Sequence, residues 1–326
     1  MEDNSLRSVS YHRPKIVDKY NIIIVGGGPA GIAAGIYGKY DGNTPLIIEE
    51  KSLAWIPENH VNLLNKLEGF PGLLNTVNGS ELVARFRHSL REMDVEYTEG
   101  VRVNSIKRRD AGFVVSTDSI DYLTRAIVLA TGTIPRQLPQ DITEKYTNDI
   151  YYFALDNYKK YIGKNVVVLG SRNSGSTAAL YLARHGLNVT ILEIKPVIQA
   201  KEKHTQYFEG LGIKTITGAR ITRLGGRKGT LGNISYIIDG RTFRIDCAAL
   251  FCYIGVVPNV GLAQSLKVEL DENQYAVTNF YQTTNEKGVF VAGDICGDLK
   301  HIIAASGQGA KAAYNINKFF SASRVE

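Results

Sequence analysis

Runs of four apolar residues, one of them broken by a threonine, recur along the chain: IIIV at 22–25, PLII at 45–48, AIVL at 126–129, VVVL at 166–169, VTIL at 189–192 and ALFC at 249–252. A strand with one wet face would alternate apolar and polar residues. Short continuous runs instead predict strands buried on both faces, as in a parallel sheet. Two of the runs lead into a glycine-containing turn and then a stretch rich in small residues, IAAGIYGKY after the first and STAALYLARHG after the fourth. Strand, tight turn, helix and strand in that order predict an α/β fold.

The two units are spaced alike. NIIIVGGGPAG places Gly26, Gly28 and Gly31 as GxGxxG, and the next apolar strand ends at Glu49. NVVVLGSRNSG repeats the turn 144 residues later, with Gly170 first, and its next strand ends at Glu193. The interval from first glycine to acid is 23 residues in both. Strand, glycine turn, helix, strand and acid together form a dinucleotide-binding fingerprint. The first glycine permits the turn, the second lets backbone approach a pyrophosphate, and the third lets the helix pack close so that its N-terminus faces phosphate. The acid is placed to accept hydrogen bonds from a ribose. RAIVLATGTIP (125–135) and CAALFCYIGVVP (247–258) extend the echo, each ending a buried strand with Gly-x-x-Pro. Internal similarity of this kind points to two related nucleotide-binding domains.

Composition narrows the possibilities by exclusion. The chain has 326 residues, enough for two domains with a core each. Its net charge of +6 is dispersed rather than gathered in a stripe, so nucleic acid is not an expected partner. No apolar run approaches the ~18 residues that span a bilayer, and the polar start MEDNSLRSVSYHRPK does not read as a signal peptide. A cytoplasmic protein without a membrane role is the expectation. Cys247, Cys252 and Cys296 form no CxxC and no disulfide framework, and the six histidines are scattered, so no metal site is expected. Cys247 and Cys252 lie in or beside an apolar run and read as small buried hydrophobes, and Cys296 reads as a packing residue.

With GGGPAG near the start, LEGFPG at 67–72, ATG at 130–132, YIGVVPN at 253–259, VFVAGDICGD at 289–298 and the final HIIAASGQGAKAA, the chain resembles the low-molecular-weight thioredoxin reductases. The resemblance covers almost the whole chain. It implies two Rossmann-like domains of three-layer ββα architecture, with a NAD(P)-binding-like domain (134–255) inserted into a discontinuous FAD-binding domain (1–133 and 256–326). It further implies a homodimer. Carried onto these residues, the FAD site would comprise Gly26, Gly28, Pro29, Ala30 and Gly31 at the pyrophosphate, Glu49 and Glu50 at the adenosine ribose, Thr131 and Gly132 where the chain leaves the domain, and Gly293 and Asp294 at the ribityl chain. A helix opening near His301, Ile302 and Ile303 would aim its positive end at the isoalloxazine. Gly170, Arg172, Asn173, Ser174 and Glu193 would form the nicotinamide nucleotide site. The resemblance names no catalytic acid or base in this chain.

Three departures qualify that reading. The family's redox CxxC falls on Phe153, Ala154, Leu155 and Asp156, followed by Asn157, so thioredoxin reduction through a dithiol is not expected. Arg172 stands where the second glycine of the nucleotide turn should be, and a side chain there either crowds the phosphates or supplies a charge to them. Glu193, followed by Ile194 and Lys195, favours NADH over NADPH because an acid repels a 2′-phosphate. The loop after Glu49 also lacks the family's Gly-Gly-Gln, leaving Trp55 and His60 either to touch the flavin or merely to anchor the loop. The leading expectation is a FAD-dependent oxidoreductase passing electrons from NAD(P)H to ferredoxin, a quinone, a small molecule or oxygen. The alternatives are a flavin-binding regulatory or structural protein with a degenerate nucleotide domain, and a flavin reduced by an external thiol donor.

Overall fold

A computed structural model describes residues 15–53, 70–73, 77–154 and 157–322. Those residues fall into two compact units, one within Met1–Ala54, Arg87–Gly132 and Asn259–Glu326, the other within Trp55–Phe86 and Thr133–Pro258. Leu155 and Asp156, Trp55, His60 and the start of the LEGFPG motif lie outside the described residues.

The first unit is built on a five-stranded parallel sheet in the order Val289–Val291, Ala126–Leu129, Ile22–Val25, Pro45–Ile48, Glu96–Thr98. Its central strands are apolar throughout because both faces are covered. On one side the helix Pro29–Tyr40 packs through a glycine stripe, with Gly31 against Ile24, Gly35 against Ile47 and Gly38 against Ile22. The long helix Ile302–Ala322 lies against that helix. On the other side Ile23, Val25, Leu46, Ile48, Ile127 and Leu129 join Ile106, Phe113, Val115 and Tyr122 in one buried cluster. The latter four come from a second sheet, Lys15–Val17, Ile120–Thr124, Gly112–Ser116 and Ser105–Arg109. Helices, parallel sheet and second sheet make the three layers.

The other unit repeats this construction. Its parallel sheet runs Ile150–Tyr151, Ala249–Cys252, Asn165–Leu169, Asn188–Leu192, Lys214–Ile216. The helix Asn173–Arg184 covers one face through Ala178, Ala179 and Leu182. An antiparallel meander of Arg220–Arg227, Thr230–Ile238 and Arg241–Asp246 covers the other through Leu224, Leu231, Ile234 and Tyr236. The register is duplicated as well. Ile22 pairs with Pro45 and Val25 with Ile48, while Asn165 pairs with Asn188 and Leu169 with Leu192. The 23-residue interval seen in the sequence is therefore the strand-to-strand offset of both sheets. The two Gly-x-x-Pro segments pair with each other, Thr133–Pro135 running antiparallel to Val256–Pro258.

The aromatic stretch ahead of the second glycine turn is a packing device. Tyr151 stacks on Phe251 with ring centroids 5.3 Å apart, and its hydroxyl lies 3.0 Å from that of Tyr161. The Tyr161 hydroxyl donates to Asp149 Oδ1 at 2.6 Å, and Asp149 Oδ2 accepts the Leu231 N–H at 2.9 Å. Burial, with the Asp149 and Tyr151 hydrogen bonds added to it, raises the Tyr161 phenol well above its ordinary range. Ala154, between the two positions expected for a dithiol, is wholly buried in the unit's core.

Candidate functional site

The two glycine turns superimpose in their logic, residue for residue. Gly26 has φ +106° and Gly170 φ +98°, a region that L side chains rarely adopt. A Cβ on Gly26 would run into the Ala130 carbonyl, and one on Gly170 into the Tyr253 carbonyl. A Cβ on Gly31 would strike the Gly26 carbonyl, and one on Gly175 the Gly170 carbonyl. These four glycines are demanded by the fold itself. The middle glycine is different. Gly28 precedes its helix at φ −74°, ψ −177°, and a Cβ there would meet nothing within 4 Å. Arg172 holds the same place at φ −61°, ψ 178°, with no backbone strain and an exposed side chain. Thus the second turn has the glycines required for folding and lacks the one whose Cβ side is open.

In the first unit the expected residues converge. Pro29 occupies the first helical turn, where its missing N–H is harmless, and no side chain caps the helix start. Gly293, at φ +90°, brings its turn onto Ala30, where an added Cβ would come to 2.9 Å of the Ala30 Cβ. Gly309 of the long helix meets the Ala30 backbone so closely that no side chain fits. Gln308 fastens the turn by accepting the Gly293 N–H at 2.7 Å. Asp294 follows, half-buried, and its carboxylate accepts no hydrogen bond among the described residues. Burial raises the Asp294 pKa, against the opposing pull of Lys300 and His301. A half-buried carboxylate without a donor is a position waiting for a hydroxyl.

Glu49 closes the other side of the turn. Its Oε2 accepts the Gly27 N–H at 2.6 Å and its Oε1 the Lys51 N–H at 2.7 Å. Among the described residues, one lone-pair position on each oxygen stays open. Glu50 points elsewhere, toward an exposed Arg102 at 3.8 Å. The Thr131 hydroxyl donates to the Asn259 carbonyl at 2.7 Å, and the Asn259 N–H donates to the Gly132 carbonyl at 2.9 Å, so this pair ties exit to re-entry. His301 is exposed at the start of the long helix, where its N–H donates to the Leu299 carbonyl, and Ile302 and Ile303 form the first turn. A bare helix start, an open Gly28, a half-free Glu49 and a donorless Asp294 fit a dinucleotide with its pyrophosphate on the turn and ribose and ribityl hydroxyls on the carboxylates.

The second unit brings Gly170, Arg172, Asn173 and Ser174 together at the start of its helix, with Asn173 exposed. Glu193 is 5% exposed and already occupied. Its Oε2 accepts the Ser171 N–H at 2.8 Å and the Ser171 hydroxyl at 2.6 Å, and its Oε1 accepts the Lys195 N–H at 2.9 Å. Ser171, wholly buried, also accepts the Gln199 N–H at 2.8 Å. Although burial pushes the other way, the hydroxyl of Ser171 and the backbone donors of Lys195, Ser171 and Ile194 hold the Glu193 pKa below the usual carboxylate range. Sequence reasoning missed Ser171 and Gln199. The available signal was Ser171 itself, where the first turn has Gly27.

The pattern described as pyridine nucleotide-disulphide oxidoreductase matches residues 20–309. The chain belongs to that family. Within it the chain is thioredoxin reductase-like and an oxidoreductase, in a family that uses FAD and NAD(P)H. It is 27% identical over 306 residues to a "34.2 kDa protein in rubredoxin operon" of Clostridium pasteurianum, covering 92% of this chain and 96% of that one. It is 27% identical over 305 residues to the thioredoxin reductase of Listeria innocua, covering 92% and 93%. The crystal structure of T. acidophilum thioredoxin reductase matches with a TM-score of 0.83 at 28% identity, covering 94% and 99%.

Against that family background, the thiols stand out. All three cysteines are free, Cys247 and Cys252 buried and Cys296 half-buried. Burial, with Asp246 and Asp149 adding to it, pushes the Cys247 thiol up to about 12, and burial raises Cys252 further. Cys296 is likewise pushed up to about 12, chiefly by burial. Thiols this hard to ionise are poor nucleophiles. Among the described residues no helix is long and apolar enough to cross a membrane, and no three His, Cys, Asp or Glu side chains group as metal ligands.

Proposed function

We propose that this chain is a FAD-dependent oxidoreductase that draws electrons from a nicotinamide dinucleotide and delivers them to an acceptor without a dithiol of its own. The observation carrying this reading is the first unit's cradle, in which, among the described residues, Gly28 is open, Glu49 keeps one free acceptor position per oxygen and Asp294 has no donor. Bound there, FAD would supply two-electron chemistry, accepting hydride and releasing electrons one or two at a time. The protein's part is to hold and orient. The N–H groups at the start of Pro29–Tyr40 would face the pyrophosphate, Glu49 the adenosine ribose and Asp294 the ribityl hydroxyls. Domain roles follow the same reading, the discontinuous unit for FAD and the inserted unit for the nicotinamide nucleotide.

For the acceptor we favour a small electron-transfer protein of the ferredoxin or rubredoxin kind. Support comes from the Clostridium relative, whose description places it in a rubredoxin operon. High thiol pKa values speak against an internal sulfur relay. Arg172 and the occupied Glu193 support a second reading, a flavin-binding regulatory protein whose nucleotide unit has lost its ligand.

The test is reconstitution with FAD followed by anaerobic mixing with NADH and with NADPH. The proposal expects stoichiometric uptake and bleaching of the flavin by at least one of them. Uptake without bleaching by either supports the second reading, and failure to take up FAD refutes both.

A further inference from the structure

Glu49 and Glu193 end equivalent strands 23 residues after equivalent glycines, yet their carboxylates are unequally paired and unequally buried. A carboxylate offers about four acceptor positions. Glu49 spends two, on the Gly27 and Lys51 N–H groups. Glu193 receives the same two backbone donors, from Ser171 and Lys195, and in addition the Ser171 hydroxyl. Its Oε2 is filled by two donors and its Oε1 holds one. The extra hydroxyl exists because Ser171 replaces the glycine found at Gly27, and it is fixed in place by the Gln199 N–H, from the segment that follows Glu193. At 5% exposure the carboxylate has little surface left to offer a ribose.

We infer that Ser171 withdraws Glu193 from coenzyme recognition, so that the inserted unit does not distinguish a ribose 2′-hydroxyl from a 2′-phosphate. This rests on the reading above that the inserted unit takes the nicotinamide dinucleotide. Selection of NADH by an acid requires a free acceptor for the 2′-hydroxyl, and discrimination collapses when that acceptor is already paired. Three internal donors also offset the carboxylate's charge, while Arg172, exposed at the turn and in no ion pair among the described residues, offers a cation to any phosphate. Ser171 acts through Glu193 and is a positioning residue that sets specificity.

The experiment measures dissociation constants of the FAD-loaded full chain for NAD⁺ and NADP⁺ by calorimetry, in wild type, S171G, E193Q and the double variant. Oxidised coenzymes report binding without any electron transfer, and thermal melts establish that each variant folds. The expected result is wild-type affinities for the two coenzymes within about threefold of each other, unmoved by E193Q. S171G then favours NAD⁺ by about tenfold or more, a preference that the double variant loses. A wild type that already prefers NAD⁺ about tenfold and loses this on E193Q overturns the inference alone, as does S171G without any gain. Binding to none of the four overturns it together with the nucleotide-site reading, and leaves the FAD cradle standing.

Discussion

At the scale of single residues, the first glycine turn holds two kinds of glycine that the motif writes identically. Gly26 and Gly31 are imposed by the backbone, one by positive φ and both by carbonyls occupying the space of a Cβ. Gly28 is imposed by none of the described residues. Gly26→Ala is therefore expected to destabilise the fold by at least roughly 3 kcal/mol, read as a large drop in melting temperature of the apoprotein. Gly28→Ala should change apoprotein stability by less than about 1 kcal/mol while weakening FAD binding about tenfold or more. Equal melting losses for the two would contradict the division. The thiols give a second expectation at this scale. With Cys247 and Cys296 pushed up to about 12, an alkylating reagent at about pH 8 should leave the native protein unlabelled and label three thiols once it is unfolded. Rapid native labelling would contradict it. Sequence alone identified which glycines mattered, because GxGxxG encodes backbone demands. It could not reveal the load on Glu193, since that depends on a hydroxyl from Ser171 and an N–H from Gln199 meeting in space.

At the scale of elements, Tyr151 and Tyr161, which flank the positions expected for a dithiol, join aromatic packing to a buried hydrogen-bond chain. Tyr161→Phe removes a donor from Asp149 and a partner from Tyr151, and is expected to cost about 1–3 kcal/mol, measured by denaturant unfolding. Tyr161 also bears on alkaline stability. Tyr161 and the buried thiols release their protons at higher pH in the fold than in the unfolded chain, where thiols and phenols ionise near about 8.5 and 10. Between those values and the folded ones the native state binds more protons, so stability falls as pH rises. The melting temperature should therefore decline above about pH 9, less steeply in Tyr161→Phe; an unchanged slope would remove Tyr161 from this account. The strands themselves were legible, because runs such as IIIV and VVVL can only be buried on both faces. Tyr161 was not assigned a role, since hydrogen bonding between Tyr161, Tyr151 and Asp149 leaves no periodic trace.

At the scale of the whole molecule, one three-layer unit is written twice, and the copies have diverged in chemistry while conserving construction. Gly26 and Gly170 both donate their N–H to the carbonyl ending the next strand, at 2.9 and 2.8 Å, and the strand offsets agree. Duplication was readable from the interval between first glycine and acid, which is a property of sequence. Openness of one turn and occupancy of the other were not, because they are properties of side chains from separate segments. The central claim is that this oxidoreductase works from a flavin held by the first unit, with no sulfur of its own in the electron path. The most direct measurement is the anaerobic rate of flavin reduction by NADH or NADPH, and of reoxidation by a small electron-transfer protein, in wild type and in the C247S/C252S/C296S variant. The account predicts bound FAD and equal rates in both proteins. Absence of flavin uptake, or a rate that collapses when the three thiols are removed from a variant that still folds and binds FAD, would contradict it.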